Sequence, residues 1–81
     1  MDYSGTYLFI GDNVKKLFIL SKIENGYKLY KIINDLKKDR NHLESKELLQ
    51  SDNNFKNEID TIVKNFIKLW LTLFIIRKVL I

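Results

Sequence analysis

The sequence predicts an α+β fold of the order βββαα: a three-stranded antiparallel meander, a short polar helix and a long C-terminal helix. Strand-like apolar runs separated by Gly-containing turns occupy residues 6–33, and an apolar seam at helical spacing runs through residues 52–81. Between them, residues 34–51 form a polar joint with few large apolar side chains. A chain of 81 residues is expected to form a single small domain, residues 1–81.

The predicted strands are runs rich in β-branched and aromatic residues, at residues 6–10, 14–23 and 27–33. The dipeptide Asn25-Gly26 lies between the second and third runs. Asn-Gly between strands is typical of a two-residue type I′ turn, in which both central residues have positive φ. The sequence therefore predicts a β-hairpin at this point.

The register that follows from this loop mixes apolar and polar side chains on both faces. It pairs Lys22 with Leu29 on one face and Ser21 with Tyr30 on the other. The pattern therefore does not indicate which face of the hairpin is buried.

The polar joint contains only a few large apolar residues, which are too sparse to bury a face firmly. We expect a short exposed helix within residues 35–50. The Ser51-Asp52-Asn53-Asn54 cluster that follows is typical of a helix N-terminus, because these side chains accept bonds from free N–H groups. The large apolar residues of the joint are Leu36, Leu43, Leu48 and Leu49.

The long C-terminal helix is predicted from apolar residues that recur every three or four positions without a break. Residues 69–81 are also compatible with a fourth, buried strand after a helix that stops near Lys68, because short apolar runs do not separate the two. The continuous seam favours the helix. Its members are Phe55, Ile59, Ile62, Phe66, Leu69, Leu73, Ile76 and Leu80.

Beyond the seam, the predicted helix carries more apolar side chains than a small sheet can cover. Leaving each of them in water costs roughly 1.5–3 kcal/mol, so they predict an interface. We therefore expect a small non-enzymatic interaction or assembly protein that binds a protein partner or its own copies through this helix. The predicted interface residues are Val63, Ile67, Trp70, Leu71, Phe74 and Ile75.

A basic nucleic-acid-binding module is the alternative. The formal net charge is +4, and Lys residues alternate with Tyr on one predicted strand. Cations that neutralise phosphate and rings that stack on bases hold single-stranded nucleic acid on sheets. Strand alternation divides these residues between two faces, which weakens this interpretation. They are Lys15, Lys16, Lys22, Tyr27, Lys28, Tyr30 and Lys31.

A peripheral membrane protein is the third interpretation. The apolar stretch of residues 66–81 is 16 residues long and contains three cations, Lys68, Arg77 and Lys78. A membrane-spanning helix needs about 20 mostly apolar residues, so association with a membrane surface is favoured over a full transmembrane span.

No pattern for catalysis, a cofactor or a metal is found in the sequence. His42 is the only histidine, cysteine is absent, and the three glycines are isolated. The absence of cysteine and of a basic N-terminal leader favours an intracellular protein. Lys outnumbers Arg 12 to 2 and Ala and Pro are missing, which is typical of an AT-rich genome.

Overall fold

The computed structural model describes residues 2–69, which form one five-stranded antiparallel sheet and one α-helix. The strand order is β4-β3-β2-β1-β5, so the first four strands make a meander and β5 pairs with the outer edge of β1. The elements are β1 (Gly5–Ile10), β2 (Val14–Ile23), β3 (Gly26–Asp35), β4 (Arg40–Leu49), α1 (Phe55–Asn65) and β5 (Ile67–Leu69).

The prediction of a βββαα fold is wrong in its second half. Residues of the polar joint form strand β4, which pairs with β3 along its whole length, where we expected a short exposed helix. Local composition favours a helix there, but β3 would otherwise leave its backbone groups unpaired at an edge. Leu48 is buried in the core and fixes the end of β4 against the rest of the sheet.

The long C-terminal helix of residues 52–81 is also wrong, because α1 ends at Asn65. It begins directly after the predicted polar cluster, although Asn54 makes no side-chain capping bond. Phe66 is extended, and its ring lies 4.7 Å from Phe18 between centroids. This turn allows the next three residues to pair with β1 as β5. The remainder of the predicted helix and the alternative strand fall largely in residues 70–81, outside the described residues.

The predicted β2–β3 hairpin is present, but its register differs by two residues. Lys22 pairs with Tyr27, and the two-residue loop is Glu24-Asn25. Among the described residues other than glycine, only Asp39 has a positive φ, so the expected type I′ turn is not formed.

Gly26 explains this register, because β4 runs directly against its backbone. Its φ is +154°, and a Cβ built on it would overlap the carbonyl oxygen of Leu48. Only glycine allows the two strands to approach this closely, so Gly26 belongs at the start of β3 and not in the turn.

The hydrophobic core lies between α1 and one face of the sheet, called here the helix face. Ile59 and Ile62 of α1 are 2% and 4% exposed, and both pack into a cluster of buried strand residues. Rings at both ends of the helix complete the packing, since Phe55 stacks on Tyr27 and Phe66 packs on Phe18. The buried strand residues of the cluster are Tyr7, Phe18, Leu20, Tyr27, Leu29 and Leu48.

Three tyrosines attach the N-terminal segment to this core. The Tyr3 backbone N–H donates to the Tyr27 hydroxyl at 2.7 Å, and the Tyr7 hydroxyl donates to the Tyr3 carbonyl at 2.7 Å. The Tyr27 hydroxyl in turn donates to the Asp2 carboxylate at 3.3 Å. The buried rings therefore keep their polar ends paired. Burial also raises the pKa of the Tyr7 hydroxyl above its ordinary value.

Replacement of Gly26 by alanine should destabilise the fold, because the added methyl group meets β4 backbone that cannot move without breaking the ladder. We expect a loss of about 1–3 kcal/mol in the free energy of unfolding, measured by urea denaturation. Gly11→Ala is the control, since its Cβ would meet only the side chains of Phe9 and Val14 and its φ is not positive. Equal losses in the free energy of unfolding of the two variants would contradict the close approach of β4 to Gly26.

Removal of the Ile59 side chain should open a cavity in the core. Ile59→Ala is expected to lose about 2–5 kcal/mol, whereas Val63→Ala, at a position 43% exposed on the same helix, should lose about 0.5 kcal/mol or less. Denaturation of both variants followed by circular dichroism measures this difference. A similar loss at the two positions would show that α1 does not pack as described.

Candidate interaction surface

The sheet face opposite α1 forms a broad apolar surface, called here the open face. Within residues 2–69, the only helix packs on the other side of the sheet, so no helix covers this one. Most of its side chains are apolar. From β1 to β5 in turn, they are Thr6, Leu8, Ile10, Lys15, Leu17, Ile19, Ser21, Ile23, Lys28, Tyr30, Ile32, Asn34, Asn41, Leu43, Ser45, Glu47, Leu49, Ile67 and Leu69.

Three large apolar residues on this face are strongly exposed. Ile10, Leu43 and Ile67 keep 62%, 71% and 68% of their surface accessible, and they lie on three different strands. Leu17 and Ile32, which pair across the central strands, are half-buried. Scattered exposed apolar residues are ordinary, but a contiguous apolar surface across several strands is typical of an interface.

Register makes this surface continuous across the sheet. Leu8 pairs with Leu17, which pairs in turn with Ile32, which pairs with Leu43. On the outer side of β1, Leu8 pairs with Ile67. Directly opposed side chains in antiparallel strands lie about 4.5–5.5 Å apart, so these five residues form one row perpendicular to the strands.

Few charges interrupt the open face. Lys28 pairs across the strands with Glu47, so opposite charges are neighbours there. Lys15 lies at the Ile10 end of the face and is opposed by Ile10 and Asn34, not by a carboxylate. The open face is therefore an apolar row with two neighbouring residues of opposite charge on one side and a cation on the other.

The helix face carries more of the sheet's lysines, several of them over aromatic rings. The Nζ atoms of Lys22 and Lys31 lie 4.7 Å and 5.5 Å from the ring centroids of Tyr27 and Phe18. Their aliphatic stems cover apolar surface while the ammonium groups remain near water. These cations thus extend the cover that the short helix provides.

A groove of about 300 Å³ runs between α1 and the β3–β4 half of the helix face. Both of its lysines have carboxylate partners within the chain: Lys31 with Glu44 at 3.5 Å and Lys46 with Glu58 at 2.6 Å. Its floor is apolar and its rim is internally neutralised, which gives no preference for a charged ligand. The lining residues are Phe18, Leu29, Lys31, Lys46, Asn54, Asn57, Glu58, Thr61 and Ile62.

The residues of the predicted interface helix are placed on different elements. Val63 lies on the exposed side of α1, whereas Ile67 lies in β5 on the open face. These two residues therefore do not share a helix face. The others, Trp70, Leu71, Phe74 and Ile75, lie outside the described residues.

The residues of the nucleic-acid alternative are divided between the two faces. Lys15, Lys28 and Tyr30 lie on the open face. The helix face holds Lys16, Lys22, Tyr27 and Lys31. The Tyr27 ring is only 1% exposed, beneath Phe55, so it presents no free ring face for a base to stack on.

His42 lies on the exposed strand β4 beside Glu44. Their nearest side-chain N and O atoms are 3.2 Å apart, and this hydrogen bond, with Lys31 nearby, lowers the pKa of the Glu44 carboxyl. A lowered pKa stabilises the fold above the ordinary carboxyl pKa, and that contribution disappears as the pH falls. Among residues 2–69, no three His, Cys, Asp or Glu side chains are grouped so as to hold a metal.

Ile10 and Leu43 are the interface candidates that sequence reasoning missed. The sequence places Leu43 in the predicted polar helix, where large apolar residues are too sparse to bury a face firmly. For Ile10 the available signal is alternation, which places it on the same face of β1 as Thr6 and Leu8. Leu43 has no such signal, because its segment is predicted to be helical. The missing information was the side on which the helix packs.

Within the described part of the chain, α1 is too short and too polar to cross a membrane. Comparison with known proteins adds no relative: no family model, curated protein or solved structure matches this chain.

Proposed function

We propose that this chain is a small non-enzymatic interaction protein that assembles with another protein molecule through the open face of its sheet. The observation that carries the proposal is the row from Ile67 through Leu8, Leu17 and Ile32 to Leu43, which crosses all five strands. Covering each exposed member would contribute roughly 1.5–3 kcal/mol, so burial of this row favours association. This surface takes the place of the C-terminal helix expected from the sequence.

The partner surface is expected to be apolar, with a carboxylate at one edge. The apolar part matches the row, and the carboxylate matches Lys15, whose cross-strand neighbours carry no negative charge. Rim charges of this kind select the orientation of a partner more than they strengthen binding. An apolar protein surface with one acidic edge therefore fits the open face better than a uniformly charged polymer does.

Nucleic-acid binding has less support as a function. The lysines that would neutralise phosphates lie on both faces of the sheet, and four of them rest over aromatic rings of the chain itself: Lys16, Lys22, Lys28 and Lys31. A single-stranded nucleic acid bound to one face of the sheet would contact only some of these lysines. Such binding would weaken steeply with salt, whereas apolar association does not.

Introducing charge into the open face should abolish association through that face. In Ile10→Lys/Ile67→Lys, two ammonium groups project from the open face, one beside the row and one at its β5 end, and a partner could bury them only at a large cost. We expect at least a tenfold loss of apolar dye fluorescence, and the loss of the largest species in sedimentation velocity, relative to the unmodified protein. Raising the salt concentration should not weaken either signal in the unmodified protein.

The matched control is Val63→Lys, which adds one cation at an exposed apolar position on the helix. It should retain both signals, because Val63 lies on the other side of the sheet from the open face. A chain that binds no dye and sediments as a monomer at all concentrations would contradict the proposal. A loss of both signals in Val63→Lys alone would move the interface to α1.

A further inference from the structure

Strand β4 forms one long edge of the sheet with its outer side unpaired in the described part of the chain. It pairs with β3 residue for residue over ten positions, without a bulge, and its residues 40–47 are all exposed. The chain contains no proline, so none blocks this edge. A long, regular edge is a template for pairing with another strand unless its side chains prevent that.

Hydrogen bonding within the sheet shows which backbone groups of β4 point outward. The Gln50 N–H donates to the carbonyl of Asn25, the residue opposite it, at 2.8 Å. Because hydrogen-bonded pairs alternate along an antiparallel ladder, the even-numbered residues of β4 bond to β3. The odd-numbered residues therefore present free N–H and C=O groups at the edge: Asn41, Leu43, Ser45, Glu47 and Leu49.

These five outward residues are symmetric about Ser45. If a second copy pairs antiparallel through a two-fold axis at Ser45, Asn41 opposes Leu49 and Leu43 opposes Glu47 of the other copy. Every outward group then has a partner, and about ten backbone hydrogen bonds form, two for each hydrogen-bonded pair. The axis is perpendicular to the sheet, so both open faces remain on the same side of a ten-stranded sheet.

Charge selects this register over its neighbours. About Ser45, Glu44 of each copy opposes Lys46 of the other, on the helix face. Shifting the axis by one residue opposes Glu44 with Glu44 or Lys46 with Lys46, and like charges directly opposite are destabilising. A further shift, to Leu43, opposes Arg40 with Lys46. The charges that usually protect an edge strand therefore permit one register here.

We propose that β4 is a homodimerisation edge, at which two copies of this chain join their sheets through antiparallel pairing centred on Ser45. This surface is separate from the open face, because it uses backbone groups at the edge and not the apolar row. A dimer formed in this way doubles the open face, since the two apolar rows share one side of the joined sheet.

Disulfide trapping tests the register directly, because the chain has no cysteine of its own. In the proposed dimer, the two copies of Ser45→Cys oppose each other with Cα atoms about 5.5 Å apart, within the range for a disulfide. The control is Asn41→Cys, which has the same backbone phase but lies about 26 Å from its own copy. In dilute solution with oxidised glutathione, we expect Ser45→Cys to form a covalent dimer at least ten times faster than Asn41→Cys does.

A backbone substitution gives an independent measurement. Ser45→Pro removes an outward N–H without breaking a bond to β3, which an edge strand tolerates, whereas Ser45→Thr keeps the N–H. Circular dichroism should show both variants folded. In sedimentation velocity, with Ile10→Lys present in every protein to suppress association through the open face, the Ser45→Pro variant should be monomeric at concentrations where the Ser45→Thr variant and the protein with serine at this position are dimeric.

Combining trapping with an open-face substitution separates the two interfaces. Ser45→Cys should form its disulfide at an unchanged rate in an Ile10→Lys background if the edge associates independently of the open face. Equal trapping rates for Ser45→Cys and Asn41→Cys would overturn the proposal, as would a folded Ile10→Lys/Ser45→Pro protein that remains a dimer. Neither result would bear on association through the open face.

Discussion

The packing of one short helix on a five-stranded sheet is the constraint on which the rest of the structure depends. A helix with its side chains is about 10 Å wide, and five strands span about 19 Å from the first to the last. α1 therefore covers the middle of one face only, through Ile59 and Ile62. Within residues 2–69, the remainder of that face and the whole of the other have no helical cover.

The two faces of the sheet differ in how their apolar side chains are shielded from water. On the helix face, lysine stems lie across aromatic rings beside the helix, as Lys22 does over Tyr27, so a moderately charged surface still protects the core. On the open face, the described side chains are mostly aliphatic, and the one lysine–ring pair recorded there, Lys28 over Tyr30, lies outside the row. This difference is why the open face, and not the side of the helix that carries Val63, has the properties of an interface.

The two proposed contacts are stabilised by different physical interactions. The open face contributes desolvation of aliphatic side chains, which is non-directional and insensitive to salt. The β4 edge contributes backbone hydrogen bonds with a single favourable charge register, which is directional but weak in total area. An edge that aligns two copies would present a wider apolar surface to a third molecule, so the two contacts are compatible with one assembly.

Local sequence was sufficient for part of the fold. The β-branched and aromatic runs of β1, β2 and β3 agree with their pairing preferences, and their alternation placed the right residues together on each face. It was not sufficient for the hairpin register, because the close approach of Leu48 to Gly26 is made by a strand 22 positions away along the chain. The candidate site was missed for the same reason, since Leu43 gains its apolar neighbours only through β3.

By itself, the sequence determined the antiparallel pairing of the first three strands and the start of the helix near the polar cluster. Only the tertiary structure decided that α1 ends at Asn65, that the polar joint becomes β4, and which sheet face is buried. Each of these depends on pairing or packing with residues distant in sequence: β5 with β1, β4 with β3, and Ile59 with the Tyr27 side of the sheet. Local propensities amount to a few tenths of a kcal/mol per residue, and such contacts exceed them.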